Sequence, residues 1–112
     1  MRKMEKFLKR VDNEIWFTEA DRDNLKIDYR IKDIIYSETS PYQQIMVLDS
    51  YDFGRILVLD DAVQTTSLDG FIYNEMITHI PLNIHPNPKN VLIIGGGDCG
   101  AAREVAKYPN IE

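Results

Sequence analysis

The sequence predicts an α+β chain in which an antiparallel β half precedes the first helix, strand and glycine loop of a nucleotide-binding α/β unit. Three observations carry this expectation. Over residues 15–66 apolar positions alternate with polar ones or fall in β-branched runs, and from Ser67 they recur at helical spacing. The run Val91-Leu92-Ile93-Ile94 then leads into Gly95-Gly96-Gly97-Asp98-Cys99-Gly100 and a helix-prone Ala101-Ala102-Arg103-Glu104-Val105. In the order strand, Gly-x-Gly-x-x-Gly, helix, the glycines allow a tight bend and let a ligand approach the backbone at a helix N-terminus. A βαβ unit needs roughly 30 residues, and its ribose-binding acid is expected about 20 residues past the loop. Only the first part of such a site precedes Glu112.

Each element has its own signal. Residues 1–11 read as a short amphipathic helix, with Met4, Phe7, Leu8 and Val11 on one side and Arg2, Lys3, Lys6, Lys9 and Arg10 elsewhere. A helix this short is marginal alone, so it is expected docked or frayed, with a membrane-surface role as the minor alternative. Strands are expected at Ile15-Trp16-Phe17, along Leu25, Ile27, Tyr29 and Ile31 on one face, and at Ile34-Ile35-Tyr36. Further strands follow at Ile45-Met46-Val47-Leu48, Arg55–Leu59 and Ala62–Thr66. Ser50-Tyr51-Asp52-Phe53-Gly54 reads as a hairpin loop and Asp60-Asp61 as a turn. Ser67 suits an N-cap for a helix carrying Leu68, Ile72, Met76 and Ile80, with Phe71 and Tyr73 beside them, expected to stop at Pro81. The change from period two to period 3.6 places a domain boundary there, giving residues 1–66 and 67–112.

Composition narrows the function classes. In 112 residues the formal net charge is -5, which argues against a broad electrostatic grip on nucleic acid. One cysteine excludes an internal disulfide framework, and no apolar run approaches the roughly 20 residues of a membrane-spanning helix. The positively charged N-terminus lacks the apolar stretch of a signal peptide, so cytoplasmic residence is the expectation.

Asp98 is the most telling residue of the loop. A carboxylate about 4 Å from a ligand anion, at an effective dielectric near 20, is opposed by roughly 4 kcal/mol. The loop therefore suits a cationic, nucleoside-containing ligand better than a pyrophosphate. Asp98 also fits a second role, capping the helix that begins near Cys99. Tyr73 either faces the mouth of the site, holding or deprotonating an amine, or is a half-buried core tyrosine. Asn74 and Glu75 read most simply as a solvated helix face, and Gln43 and Gln64 as strand residues at an exposed edge. His79 and His85 have no companions at metal-ligand spacing, so no metal is expected. Cys99 is read as either a reactive thiol at a helix start or a small apolar filler.

Together these residues resemble the polyamine aminopropyltransferases, the spermidine synthase family. The similarity runs from Trp16-Phe17-Thr18-Glu19 to the end. It is densest in Leu59-Asp60-Asp61-Ala62-Val63-Gln64-Thr65-Thr66 and Asp69-Gly70-Phe71-Ile72-Tyr73-Asn74-Glu75-Met76, and continues through His79-Ile80-Pro81-Leu82 and the glycine loop to Arg103-Glu104-Val105. The resemblance implies an N-terminal antiparallel β domain that oligomerises, followed by the start of a Rossmann-like, S-adenosylmethionine-methyltransferase-like domain. It implies transfer of the aminopropyl group of decarboxylated S-adenosylmethionine to putrescine, giving spermidine and 5'-methylthioadenosine, in a dimer or tetramer. No cofactor is implied beyond that co-substrate.

By the same resemblance Gln43 contacts the donor, Tyr73 positions the amines as the catalytic residue of this stretch, and Asp98 binds the aminopropyl ammonium. Gln64 and Asn74 complete the substrate-binding set, around the loop glycines Gly95, Gly96, Gly97 and Gly100. The family's ribose-binding carboxylate and catalytic aspartate are expected beyond Glu112, which leaves the 112-residue chain inactive alone. The chain departs from the family pattern at Gly70, where Glu is usual, at Asn74, where His or Gln is usual, and at Asp61 and Cys99, where Gly is usual. Two other readings stand beside this one: a non-catalytic oligomerisation module derived from such an enzyme, and an ordinary dinucleotide binder.

Overall fold

A computed structural model describes residues 6–112, the side chain of Asp21 excepted. The residues up to Leu68 form one compact unit, and Asp69–Glu112 form a second.

The first unit is a six-stranded antiparallel meander in the order β1 to β6: Leu8–Val11, Glu14–Arg22, Leu25–Thr39, Gln44–Ser50, Arg55–Leu59 and Ala62–Thr66. The expected N-terminal helix is corrected here. Its first five residues lie outside the described ones, and Leu8–Val11 is a strand paired with β2. Asp12 and Asn13 are the physical reason. Both adopt positive φ, 50° and 66°, and form the two-residue turn that sets Val11 opposite Glu14. Asp60 and Asp61 do the same between β5 and β6, with φ of 48° and 69°, so Asp61 occupies a conformation that favours glycine.

The third strand merges two expected runs into fifteen residues. Register shifts between Ile31 and Asp33 and between Ile34 and Tyr36 let the strand continue while changing which side chain meets the core. Ile34 packs inward and Ile35 stays exposed. Of the expected face, Ile31 is buried and Tyr29 packs against the core, whereas Leu25 and Ile27 are exposed at the far end of the strand. The core is Phe17, Ile31, Met46, Leu48, Ile56 and Val58, and β4 alternates buried and half-buried residues along its whole length. The sheet curls enough for Glu19 of β2 to accept a hydrogen bond from the Val63 amide of β6.

Ser67 is not the helix cap that its position suggested. Its hydroxyl accepts the Arg55 amide at 2.8 Å and so closes the β5–β6 end of the sheet. Gly54, at φ 68°, is required beside it, because a Cβ there would lie 2.2 Å from the Ser67 oxygen.

In the second unit α1 spans Gly70–Ile84, with Asp69 at the N-cap position, and α2 spans Gly100–Val105. The helix does not stop at Pro81 as expected. Pro81 removes one donor, that for the Ile77 carbonyl, while the next turn closes through the His85 amide on the Pro81 carbonyl at 3.0 Å. The apolar stripe of α1 is also not its buried face: Ile72, Met76 and Ile80 are exposed, and the buried residues are Asn74 and Thr78. Residues 91–94, expected as a strand, form no regular element. A parallel strand exists only against a neighbour, and none pairs with it among the described residues.

Leu48 is fully buried at the centre of the sheet. Leu48→Ala is expected to cost about 2–5 kcal/mol, read as a lower urea midpoint with an unchanged slope.

Candidate functional site

The glycine loop bends where the sequence places it. Gly95 and Gly96 hold φ of 85° and 69°, and the Cys99 amide closes the turn on the Gly96 carbonyl at 2.9 Å. Cys99, at the N-cap of α2, also lies in the left-handed region at φ 61°, a conformation that favours glycine. Its thiol is exposed. Asp98 is exposed at the loop tip, and its Oδ1 accepts the Gly100 amide at a long 3.3 Å. The capping contact exists, but it is weak and occupies one carboxylate oxygen.

Gly100 is the contact point between loop and helix. It is buried, and a Cβ on it would lie 2.1 Å from Asn74 Nδ2. Asn74 is 7% exposed, so the solvated-face reading of this residue is corrected. With no side chain at position 100, the backbone of α2 comes down on the Asn74 amide. Tyr73, one residue earlier, is 67% exposed and free of the core role considered for it. Glu75 is exposed as expected.

The two glutamines lie in the first unit. Gln43 precedes β4 rather than lying within it, in a loop tied by Ser40. The Ser40 hydroxyl accepts the Gln43 amide at 3.0 Å and donates to the Gln43 carbonyl at 2.9 Å. The buried amide is that of its neighbour Gln44, whose Oε1 has no hydrogen-bond partner among the described residues. Gln64 is the unpaired residue of a bulge on edge strand β6, exposed, with its Nε2 donating to the Ala62 carbonyl at 3.2 Å.

One cluster was not legible in the sequence. Glu104 of α2 is 1% exposed, and His79 of α1 donates from Nε2 to its Oε2 at 2.9 Å while Lys107 Nζ donates to the same oxygen at 2.7 Å. The Tyr108 hydroxyl lies 2.7 Å from His79 Nδ1 and accepts from Asn83 Nδ2 at 3.0 Å, so both ring nitrogens of His79 are hydrogen-bonded. The Lys107 ammonium first and the His79 ring second hold the Glu104 carboxyl below its ordinary value. The Lys107 contact is a helical i,i+3 spacing that a sequence shows, whereas His79 is 25 positions away. Among the described residues no group of His, Cys, Asp and Glu is arranged to hold a metal, and no helix is long and apolar enough to cross a membrane. A groove of about 650 Å³ runs beside α1, lined by Ile77, Leu82, Val91, Ile93 and Val105 among others; Asp98 does not line it.

Comparison with known proteins places this geometry. Residues 15–67 match the family model described as the spermidine synthase tetramerisation domain, and residues 70–112 match the spermine/spermidine synthase domain. The chain belongs to the spermidine synthase family. A polyamine aminopropyltransferase of Desulforudis audaxviator is 54% identical over 98 residues, covering 88% of this chain and 36% of the relative. That of Methanocaldococcus jannaschii is 55% identical over 98 residues, covering 88% and 33%. A solved spermidine synthase in complex with the transition-state analogue AdoDATO superposes with a TM-score of 0.85 at 38% identity, covering all of this chain and 38% of that one. The Thermotoga maritima spermidine synthase gives the same TM-score and identity and is covered to 40%. The chain thus spans about a third of the length of the curated relatives it matches. Its antiparallel sheet followed by the opening of a methyltransferase-like domain is the family's architecture.

A carboxyl whose folded-state pKa is depressed contributes stability that is present above its unfolded value and lost as pH falls through the folded one. Helicity of the wild-type chain in moderate urea should therefore drop on acidification below about pH 4.5, the ordinary value for Glu104. Glu104→Gln should be less helical at neutral pH and flatter through that window, as read by circular dichroism.

Proposed function

We propose that the chain supplies the aminopropyl-donor side of a spermidine synthase site, in the cytoplasm and within a homo-oligomer. The observation that carries this reading is an exposed carboxylate, Asp98, at the tip of a nucleotide-type glycine loop, in a chain 54% identical to a polyamine aminopropyltransferase. The donor, decarboxylated S-adenosylmethionine, ends in an ammonium where S-adenosylmethionine carries an additional carboxylate. Asp98 attracts the first and repels the second.

In the reaction the neutral amine of putrescine attacks the carbon beside the sulfonium. The new C–N bond forms as the C–S bond breaks, 5'-methylthioadenosine leaves as a neutral thioether, and the product amine loses a proton. This displacement calls for alignment and a base rather than an electron acceptor. Asp98 would hold the aminopropyl ammonium. Tyr73, exposed on α1, would orient the amines through its phenol oxygen, and Gln43, on its Ser40-tied loop, would contact the donor. Asn74 would act beneath Gly100 rather than from an open surface, and Gln64, exposed on β6, would complete the set.

The base and the adenosine contacts fall to the part of the family fold that these residues do not span, so the 112-residue chain is expected to bind donor poorly and to catalyse nothing. A second reading, a non-catalytic assembly module, is favoured by the match of residues 15–67 to a tetramerisation domain. It predicts an oligomer of the short chain in sedimentation velocity.

The test joins residues 1–112 to the remaining C-terminal region of the M. jannaschii relative. The fusion should form spermidine and 5'-methylthioadenosine from decarboxylated S-adenosylmethionine and putrescine, and the short chain should form neither. Asp98→Asn in the fusion should lower kcat/KM by about 10- to 100-fold, the loss of one hydrogen bond to a charged group. A folded but inactive fusion, or an unaffected Asp98→Asn variant, would overturn the reading.

A further inference from the structure

We propose that the Glu104–His79 pair sets the position of the glycine loop, making both residues positioning residues for whatever ligand Asp98 meets although neither belongs to the loop. The inference deepens the donor-binding reading and rests on it for the ligand alone, since the placement of the loop is a property of the free chain.

Two contacts hold α2 against α1. Gly100 and Glu104 are four residues apart, hence on one face of α2, and they are its two buried residues. The face opposite them on α1 is made by Asn74, Thr78 and His79, of which Asn74 and Thr78 are the buried residues of that helix. At the first contact the backbone of Gly100 lies against the Asn74 amide with no side chain between them. That contact is one of close approach rather than of directed bonding, since the Gly100 amide is given to Asp98 and not to Asn74. The second contact is directional. Glu104 Oε2 receives both His79 Nε2 and Lys107 Nζ, and His79 is in turn fixed by Tyr108, whose hydroxyl Asn83 also grips.

The carboxylate is 1% exposed, so it tolerates no displacement that would leave it without these partners. Lys107 travels with α2 and its following turn, and Arg103, 3.6 Å from Oε1, is on α2 as well. His79 is therefore the partner that refers Glu104 to α1.

The loop inherits this placement. Asp98 and Gly100 are joined by the Oδ1 bond to the Gly100 amide, and the Cys99 amide ties Gly96 into the same turn. The helix is one turn long between Gly100 and Glu104, too short to absorb a change at one end before the other feels it. Neither residue is a catalytic group, and the groups facing Glu104 are His79 from α1 and Arg103 and Lys107 from its own segment, with Tyr108 of that segment reaching it only through His79.

The test is amide resonance mapping of the ¹⁵N-labelled 112-residue chain, without ligand, for Glu104→Gln and His79→Gln. Glu104→Gln removes the charge from the acceptor and His79→Gln removes the imidazole, so each weakens the same pair while keeping a side chain able to hydrogen-bond. The expected result is a shift of the Gly95, Gly96, Gly97, Asp98 and Gly100 amides in the same direction in both, with the Met46, Leu48, Ile56 and Val58 amides at their wild-type positions. Arg103→Ala serves as the control and should leave the loop amides in place. Unmoved loop amides in a folded Glu104→Gln chain would overturn the proposal. So would movement in Glu104→Gln alone, or collapse of all second-unit resonances in both variants, which would make the pair a general support of that unit rather than the setting of its loop. Failure of aminopropyl transfer in the completed enzyme would bear on the donor reading and leave this result standing.

Discussion

Desolvating the carboxylate of Glu104 is unfavourable unless it is paired, and the second unit is arranged so that it is. Its direct partners are His79 on the long helix and Lys107 in the turn after the short one, and Tyr108, next to Lys107, stands behind the imidazole. Removing any of them would leave a charge or a ring nitrogen without its match. The consequence is that two helices whose facing residues are mostly polar and small, Asn74, Thr78 and Gly100, still meet in one register. Apolar burial does this work in the first unit, where Phe17, Met46, Leu48, Ile56 and Val58 close a curled sheet. In the second, a buried charge network takes its place among the residues present.

The glycine loop combines backbone turns that glycine favours with one exposed carboxylate. Gly95 and Gly96 take up backbone conformations that side chains disfavour, and a Cβ on Gly100 would strike Asn74. Cys99 enters the same disfavoured region with a side chain, which is a local strain of the order of 1 kcal/mol that a glycine would relieve. Asp98 then stands exposed with a single long bond to its own helix. In the proposed reading this carboxylate, only weakly held by its cap, is the one that meets the ligand cation.

The β half was legible because its signal is local: alternation and the hairpin turns fix five of its six strands from residues that are neighbours in sequence. The missed strand, Leu8–Val11, carried basic residues that imitate an amphipathic helix, and its true signal was the Asp12-Asn13 turn. Bulges hid the continuity of β3, since each reverses the alternation on which the reading relies. In the second unit the apolar stripe of α1, Ile72, Met76 and Ile80, marked the helix but is not its buried face, because nothing among the described residues covers it. The same condition left residues 91–94 without a ladder. Of the site, the glycine loop and Asp98 were visible as a motif, whereas the burial of Asn74 under Gly100 and the pairing of Glu104 with His79 depend on which helix faces which, and no spacing reports that.

The central claim is that Asp98 selects a ligand by charge. Isothermal titration of the enzyme completed with the C-terminal region of a relative, using decarboxylated S-adenosylmethionine and S-adenosylmethionine in parallel, tests it most directly. These ligands share the adenosine and sulfonium and differ by one carboxylate. A repulsion of roughly 4 kcal/mol at contact distance, partly screened, predicts that the decarboxylated form binds at least about tenfold more tightly, and that Asp98→Asn removes most of the difference. Equal affinities, or tighter binding of S-adenosylmethionine, would contradict the account.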